Sequence, residues 1–134
     1  MLGEEIGSEV GKVTSHLVLP NPGGEPKMET SFQATGTLVG VSHTTTATYC
    51  AIMRVDGTLY GEGQAVVMGK GREMATWVGQ GVGTLKQDGS VRYRGAAHYQ
   101  SASPAWARLN SVAAIFEFEV DPQGNCRDES WEWK

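Results

Sequence analysis

The sequence predicts an all-β protein, a single closed eight-stranded antiparallel barrel of the up-and-down, calycin-like kind. Apolar and polar residues alternate along most of the chain, which is the side-chain period of a β-strand. Turn signals recur at intervals of roughly 12 to 16 residues, as in barrels and sandwiches. Helical periodicity is nearly absent. Closing such a meander into a barrel removes its exposed edges.

Eight strands are predicted in chain order, over residues 12–20, 28–39, 44–55, 58–68, 73–87, 90–101, 112–121 and 126–133. The stretch SASPAWARLN interrupts them with one short helical turn near 103–109, because Ser103 can cap a helix and Pro104 suits its first position. Residues 1–11 are expected to form a loosely ordered N-terminal arm. The chain, 1–134, is expected to be one domain.

Composition and charge argue against several classes of partner. The net charge is −4 and the longest basic cluster is GKGR, so neither nucleic acid nor an anionic membrane is expected as a partner. No apolar run approaches the ~20 residues of a membrane span, and MLGEEIGSEVGK lacks the features of a secretory signal. We therefore expect a cytoplasmic protein. Cys50 and Cys126 are expected to be reduced packing residues, with a structural disulfide as the alternative.

Two strands have one clearly apolar face, which we assign to the interior. The third strand is less clear, and we take as inward the face opposite its threonines and Arg54. These faces are Met28, Phe32, Ala34 and Leu38 in the second strand, Ala47, Tyr49, Ala51, Met53 and Val55 in the third, and Val112, Ala114, Phe116, Phe118 and Val120 in the seventh. Tight hairpins carry these assignments to neighbouring strands, because loop length fixes register. We take two-residue loops at Asp56-Gly57 and Asp88-Gly89, and four-residue loops at GKGR and PQGN.

These loop lengths place the other inward side chains: Tyr60, Glu62, Gln64, Val66 and Met68 in the fourth strand, Trp77, Gly79, Gly81 and Gly83 in the fifth, Arg94 and His98 in the sixth, and Trp131 and Trp133 in the eighth. A shift of one residue in a loop reverses every face beyond it. In that alternative, Leu59, Val78, Val82, Val91, Tyr93 and Tyr99 form the core, and Glu62, Arg92, Arg94 and His98 form a solvated surface.

The glycines at 79, 81 and 83 weaken a strand that its other residues favour. If they face inward they clear space, and an eight-stranded barrel is wide enough for one small ligand. The predicted cavity has an apolar wall that includes Phe118 and Trp133, and a polar wall. Its expected ligand-binding residues are Tyr49, Tyr60, Gln64, Trp77, Arg94, Phe116 and Trp131.

Glu62 and His98 are the candidate catalytic pair. In the assigned register they flank Gly79 with backbones ~9 to 10 Å apart, so a carboxylate and an imidazole could exchange protons with a ligand. The alternative is a buried structural polar pair. Arg94 could pair with an anionic group. No cofactor and no metal are predicted, because neither GEGQAV nor GQGVG has the dinucleotide-binding pattern and His16, His43 and His98 lack metal-ligand spacing.

The span DGTLYGEGQAVVMGKGREMATWVGQGVGTLKQDGSVRYRGA, followed by YQSASPAWARLN and FEFEVDPQGN, resembles an uncharacterised family of small bacterial proteins over about residues 11–134. In strand layout, Asp-Gly hairpins and glycine-rich central strands, the chain is also similar to barrels of the allene oxide cyclase and dirigent type. Allene oxide cyclases bind a fatty-acid-derived substrate in the barrel and form trimers. The resemblance implies a closed barrel, an apolar-walled cavity and a homo-oligomer, a dimer or trimer. It assigns no catalytic residue.

The leading functional hypothesis is binding of a small, partly apolar ligand, anionic or neutral, in the barrel cavity. Isomerase or cyclase chemistry is an extension of this hypothesis, and whether the protein is an enzyme stays open. The competing hypothesis is a solidly packed structural or protein-interaction barrel without a ligand.

Overall fold

The computed structural model describes residues 1–134 and forms a closed antiparallel barrel in which β8 pairs back onto β1. The predicted fold class is confirmed. The strands are β1 (Leu2–Val18), β2 (Lys27–Leu38), β3 (Val41–Met53), β4 (Leu59–Gly69), β5 (Met74–Leu85), β6 (Val91–Gln100), β7 (Ala113–Val120) and β8 (Asn125–Trp133). A 3₁₀ helix (Pro104–Ser111) lies between β6 and β7, where the short helical turn was predicted. No helix is long and apolar enough to cross a membrane.

The N-terminal segment is part of the barrel, so the expectation of a loose arm over 1–11 is wrong. β1 begins at Leu2 and pairs with both β8 and β2. Its inward residues include Gly7, Glu9 and Gly11 besides the buried Ile6, and a register shift lies between Glu5 and Gly7, so the segment shows no regular apolar alternation. Gly11 is required here, because a side chain would collide with the carbonyl oxygen of Gln33 on β2.

Four hairpins have three-residue loops, where loops of two or four residues were predicted. In the first, Arg54 N–H donates to the Thr58 carbonyl at 2.8 Å, and Gly57 N–H donates to the Arg54 carbonyl at 2.9 Å. The last loop residue is left-handed in each case, with φ of 88° at Gly57, 71° at Arg72, 91° at Gly89 and 86° at Gly124. This is a type I turn followed by a bulge residue, the usual three-residue hairpin.

Each miscounted loop reverses the faces of the strand that follows it. The predicted inward faces of β2, β3 and β7 are correct over their buried positions, while Val55 lies exposed in a turn. The fourth, sixth and eighth strands were predicted in the wrong orientation. The residues that point outward instead of inward are Tyr60, Glu62, Gln64, Val66, Met68, Arg94, His98, Trp131 and Trp133.

The glycine strand β5 keeps its predicted orientation because two errors cancel. The loop before β4 and the loop before β5 were each miscounted by one residue, so the second reversal undoes the first. Gly79, Gly81 and Gly83 are buried, whereas Val78 and Val82 are 55% and 48% exposed. In β6 the alternative assignment is the correct one, with Tyr93 and Tyr99 inside.

The 3₁₀ helix closes one end of the barrel. Trp106 and Leu109 are fully buried, and the indole N–H of Trp106 donates to the Leu38 carbonyl at 2.8 Å. The packed cluster at this end is Ile6, Leu38, Val67, Ala75, Trp106, Leu109, Val112 and Ala114. A second cluster fills the rest of the interior and contains Phe32, Ala34, Ala47, Ala65, Tyr93, Phe118 and Cys126. Cys50 and Cys126 are both free thiols.

Candidate functional site

A cavity of about 60 Å³ lies inside the barrel, beside the glycine-rich parts of β4 and β5. Its lining includes the glycine wall, defined here as Gly61, Gly63, Gly79 and Gly81. Aromatic side chains supply most of the remaining surface: Phe32, Tyr49, Trp77, Tyr93, Tyr99, Phe116 and Phe118. Ala97, Asp128 and Ser130 complete the interior lining, and Glu62 and Gln80 border it.

The inward glycines make room for aromatic rings as well as for the cavity. A Cβ added at Gly81 would lie 3.1 Å from Cζ of Phe116, and one added at Gly83 would lie 2.6 Å from Cε1 of Tyr93. The rings of Phe116 and Tyr93 therefore occupy space that a side chain at Gly81 or Gly83 would need. At Gly79 the near neighbours are the Ala96 carbonyl oxygen at 3.1 Å and Cβ of Ala97 at 3.3 Å. All three glycines face the interior.

Four of the seven aromatic side chains of the cavity form one connected cluster of ring contacts. Phe32 and Phe118 stack with ring centroids 4.9 Å apart, and Tyr49 meets Phe118 edge-on at 5.7 Å. Tyr49 also meets Tyr93 edge-on at 5.6 Å. Burial raises the pKa of Tyr49 to about 12 and raises the pKa of Tyr93 and Tyr99 further. The phenols are therefore neutral groups within an apolar surface.

A polar cluster lies inside the barrel next to this aromatic surface. One oxygen of the Glu9 carboxylate, Oε1, lies 2.8 Å from Nε2 of His43 and accepts a hydrogen bond of 2.6 Å from the Thr45 hydroxyl. The side chains of His43 and Glu9 are only 4% and 8% exposed. Two partners on one oxygen fix the position of this carboxylate. Hydrogen bonds to a charged group are stronger than those between neutral groups, so this contact holds Glu9 firmly.

Asp128 is the second carboxyl group of the cluster and is directly paired with Glu9 across β1 and β8. Its pKa is raised well above 3.8, first by burial and then by the negative charge of Glu9, with the Ser130 hydroxyl opposing the rise. Its Oδ1 atom and Nδ1 of His43 are buried without a hydrogen-bond partner. Most buried polar atoms have a partner, so each of these two atoms is open to one.

A second, smaller cavity of about 10 Å³ lies within the polar cluster. It shares four lining residues with the main cavity, Trp77, Tyr99, Asp128 and Ser130. Its other polar neighbours include Glu9, His43 and Thr45. This volume is close to the minimum for one water molecule, about 10 to 15 Å³. Asp128 therefore borders both the water-sized cavity and the larger main cavity.

The structure does not bring the predicted catalytic pair together. Glu62 and His98 are both exposed on the outer surface, where Glu62 is paired with Gln80 and His98 with Val78. Glu62 raises the pKa of the neighbouring Tyr60 phenol through a hydrogen bond. The predicted acid–base site between these two residues therefore does not form.

The predicted ligand-binding residues divide into two groups. Tyr49, Trp77 and Phe116 line the cavity, and their contact with a ligand stays a prediction. The side chains that point away from the interior are Tyr60, Gln64, Arg94 and Trp131. Nε of Arg94 lies 3.8 Å from Oε2 of Glu117 on the outer surface, so it is not available to a ligand inside the barrel.

Glu9, Thr45, Asp128 and Ser130 were not predicted as site residues, and His43 was considered only as a metal ligand. A signal for two of them was present, since His43 and Thr45 share their face of β3 with Ala47 and Tyr49. Asp128 and Ser130 were assigned outward because the PQGN loop was counted one residue too long. Glu9 gave no signal, because its strand has no apolar alternation.

Comparison with solved structures shows the same fold in proteins of very different sequence. A conserved protein of unknown function from Rhodopseudomonas palustris matches with a TM-score of 0.83 at 9% identity, over 98% of this chain and 97% of that one. A protein of unknown function from Clostridium acetobutylicum matches with a TM-score of 0.83 at 10% identity, over 98% of each chain. A beta-barrel like protein from Acinetobacter baumannii matches with a TM-score of 0.82 at 8% identity, over 98% of this chain and 94% of that one.

One similar structure is described as an enzyme, from Penicillium herquei. It matches with a TM-score of 0.68 at 12% identity, over 96% of this chain and 92% of that one. No protein-family model and no curated protein sequence matches the chain. At these identities the similarity shows the barrel fold alone.

Proposed function

We propose that this protein binds a small, neutral, mainly apolar ligand inside its barrel. The observation that carries the proposal is the glycine wall, which leaves a cavity in an interior that is otherwise packed. Ligand pockets are typically lined by apolar and aromatic side chains with a few placed polar groups. This cavity has that composition, with seven aromatic rings and the polar groups of Asp128, Ser130 and the tyrosines.

The size of the cavity limits the ligand. One water molecule needs a cavity volume of about 10 to 15 Å³. A cavity of about 60 Å³ therefore has room for about four to six water-sized groups. A molecule built on one six-membered ring is of this size. A longer ligand would need the aromatic side chains to move.

The charges around the cavity favour a neutral ligand over an anionic one. No Lys or Arg side chain lines the cavity, and Glu9 and Asp128 lie together inside the barrel. Burying an anion beside a carboxylate, without a positive partner, is costly. The anionic ligand considered from the sequence depended on Arg94, which lies outside.

We extend the binding proposal to isomerase or cyclase chemistry on the bound ligand. The layout similar to allene oxide cyclase barrels and the barrel described as an enzyme are consistent with it. Such chemistry would use Asp128, the acid that borders the cavity, in place of Glu62 and His98. Association into a homo-oligomer and a cytoplasmic location both stay predictions.

The test is an NMR titration of the protein's amide resonances with methylenecyclohexane, an apolar single-ring probe. Ala97 is 5% exposed and lines the cavity, whereas its neighbour Ala96 faces outward. We expect saturable binding at one site in the parent protein and in Ala96→Leu, and binding at least about tenfold weaker in Ala97→Leu, whose side chain fills the cavity. Absence of saturable binding, or equal binding in both variants, would favour the packed structural barrel instead.

A further inference from the structure

Asp128 is the one carboxyl group that borders both interior cavities. We infer that it selects the ligand by donating a hydrogen bond, so that the ligand carries a neutral acceptor such as a carbonyl oxygen on its apolar ring. This inference rests on the proposed function, because it needs a ligand in the main cavity. It narrows the ligand class from small apolar molecules to small ketones and similar carbonyl compounds.

Asp128 has an unpartnered oxygen. Its Oδ1 atom is buried without a hydrogen bond, and a buried polar atom that is left unsatisfied is destabilising. The small cavity shared with Glu9 and His43 is near the lower limit for one water. The main cavity is the larger space that Asp128 borders, and it has room for a molecule with a polar atom of its own.

Asp128 is the member of the Glu9–Asp128 pair that would carry the donated proton. Glu9 is directly opposite on β1, and its Oε1 atom lies 2.8 Å from Nε2 of His43 and 2.6 Å from the Thr45 hydroxyl. Oδ1 of Asp128 has no such partner. Two adjacent buried carboxyl groups do not both ionise readily, so the proton of the pair belongs to Asp128. The raised pKa of Asp128 agrees with this assignment.

A neutral carboxyl group can donate a hydrogen bond, which a carboxylate cannot do. A carboxylic acid kept neutral by apolar surroundings can donate to a ligand oxygen at neutral pH. No positively charged side chain lines the cavity to compete for that oxygen. A carbonyl group therefore matches the acid, while the aromatic rings contact the rest of the ligand.

The experiment compares cyclohexanone with methylenecyclohexane, which differ only in a C=O group replaced by C=CH₂. A neutral hydrogen bond contributes about 0.5 to 1.5 kcal/mol, so the parent should bind the ketone about threefold to tenfold more tightly. Asp128→Ala, which removes the acid without adding bulk to the cavity, should bind the two probes equally, whatever its absolute affinity for either. Asp128→Asn retains an N–H donor and should keep part of the preference.

The outcomes separate this inference from the proposed function. Equal affinities in the parent, or a preference that persists in Asp128→Ala, would overturn the inference and leave apolar binding intact. Binding of neither probe would overturn both. The carbonyl stretching frequency of isotope-labelled cyclohexanone gives a second measurement that does not depend on the alanine variant folding. It should be lower in the parent than in Asp128→Asn, and equal frequencies would contradict donation by the acid.

Discussion

Glu9 on β1 and Asp128 on β8 are directly paired across the strands that close the barrel, and both side chains lie inside it. Glu9 is held by His43 and Thr45, and Asp128 is left with an unpartnered oxygen beside the aromatic cavity. The two carboxyl groups therefore have different roles although they have the same chemistry. One is held by two hydrogen-bond partners, and the other has a pKa raised by burial and by the charge of its neighbour.

The stability of the protein should depend on pH through Asp128. Its folded-state pKa lies above the ordinary value of 3.8, so the folded protein binds this proton more tightly than the unfolded chain does. The resulting stabilisation is complete below the unfolded pKa and is lost as pH rises through the folded pKa. Asp128→Asn removes this titration. The free energy of unfolding of the variant relative to the parent should therefore rise with pH above about 4, by at most about 1.4 kcal/mol per pH unit.

Urea unfolding of both proteins between about pH 3 and pH 8 measures this difference. Glu129 also acts on Asp128, so Glu129→Gln is the control for a surface charge and should change the slope much less. A constant difference between the parent and Asp128→Asn at every pH would show that Asp128 is not an enclosed acid.

The orientation of the glycine strand can be tested with two adjacent substitutions. Gly81 is buried against Phe116, with 3.1 Å between a Cβ placed there and Cζ of the ring. Gly81→Val should therefore lower the free energy of unfolding by about 1 to 3 kcal/mol through overpacking. Gln80→Val adds a β-branched residue to the exposed face and should be nearly neutral. Equal effects in chemical denaturation would mean that the assigned face is wrong.

The sequence could predict the fold class because alternation and turn residues are local signals. It could also predict the inward faces of β2, β3 and β7, where Phe32, Ala47 and Phe118 occur among apolar neighbours of the same parity. It could not predict loop length from Asp-Gly alone, because that dipeptide suits both a two-residue loop and the last two positions of a three-residue loop. The residue that follows each Asp-Gly pair, Thr58 or Ser90, donates a hydrogen bond from its hydroxyl to the side chain of that aspartate. This contact accompanies the longer loop.

The candidate site was harder to predict than the fold. The cavity residues Tyr49, Trp77 and Phe116 were identified because they are aromatic and lie on assigned faces. Asp128 was missed because the PQGN loop was counted one residue too long, and Glu9 because acidic residues are normally placed on the solvent side. Inside the barrel, Glu9 meets His43 and Thr45 of β3, and that contact is not visible along the chain.

The three-residue loops make a prediction about the GKGR turn. Arg72 occupies the left-handed position with φ of 71°, where Gly89 stands in the corresponding loop with φ of 91°. A non-glycine residue there costs about 1 to 2 kcal/mol, partly offset by the flexibility of glycine in the unfolded chain. Arg72→Gly should therefore stabilise the protein by about 0.5 to 1 kcal/mol, and Gly89→Ala should destabilise it by about 1 kcal/mol. Thermal unfolding of both variants measures this, and a loss of stability in Arg72→Gly would contradict the turn assignment.

Closure of the barrel by the 3₁₀ helix depends on Trp106. Its side chain is fully buried, and its N–H group donates to the Leu38 carbonyl. Trp106→Ala should destabilise the protein by about 3 to 5 kcal/mol, the range for large-to-small changes in a core. Trp133 is 60% exposed, so Trp133→Ala is the control and should change stability by less than about 0.5 kcal/mol. Similar unfolding midpoints for the two variants would show that the helix does not seal the core.

The barrel contains an apolar cavity beside the glycine wall, and we propose that this cavity admits a small ligand. The most direct measurement is a crystal structure of the parent protein under xenon pressure, because xenon enters apolar cavities without needing a polar contact. We predict xenon bound between Gly81, Tyr93 and Asp128. A barrel interior without xenon, with side chains filling that space, would contradict the claim.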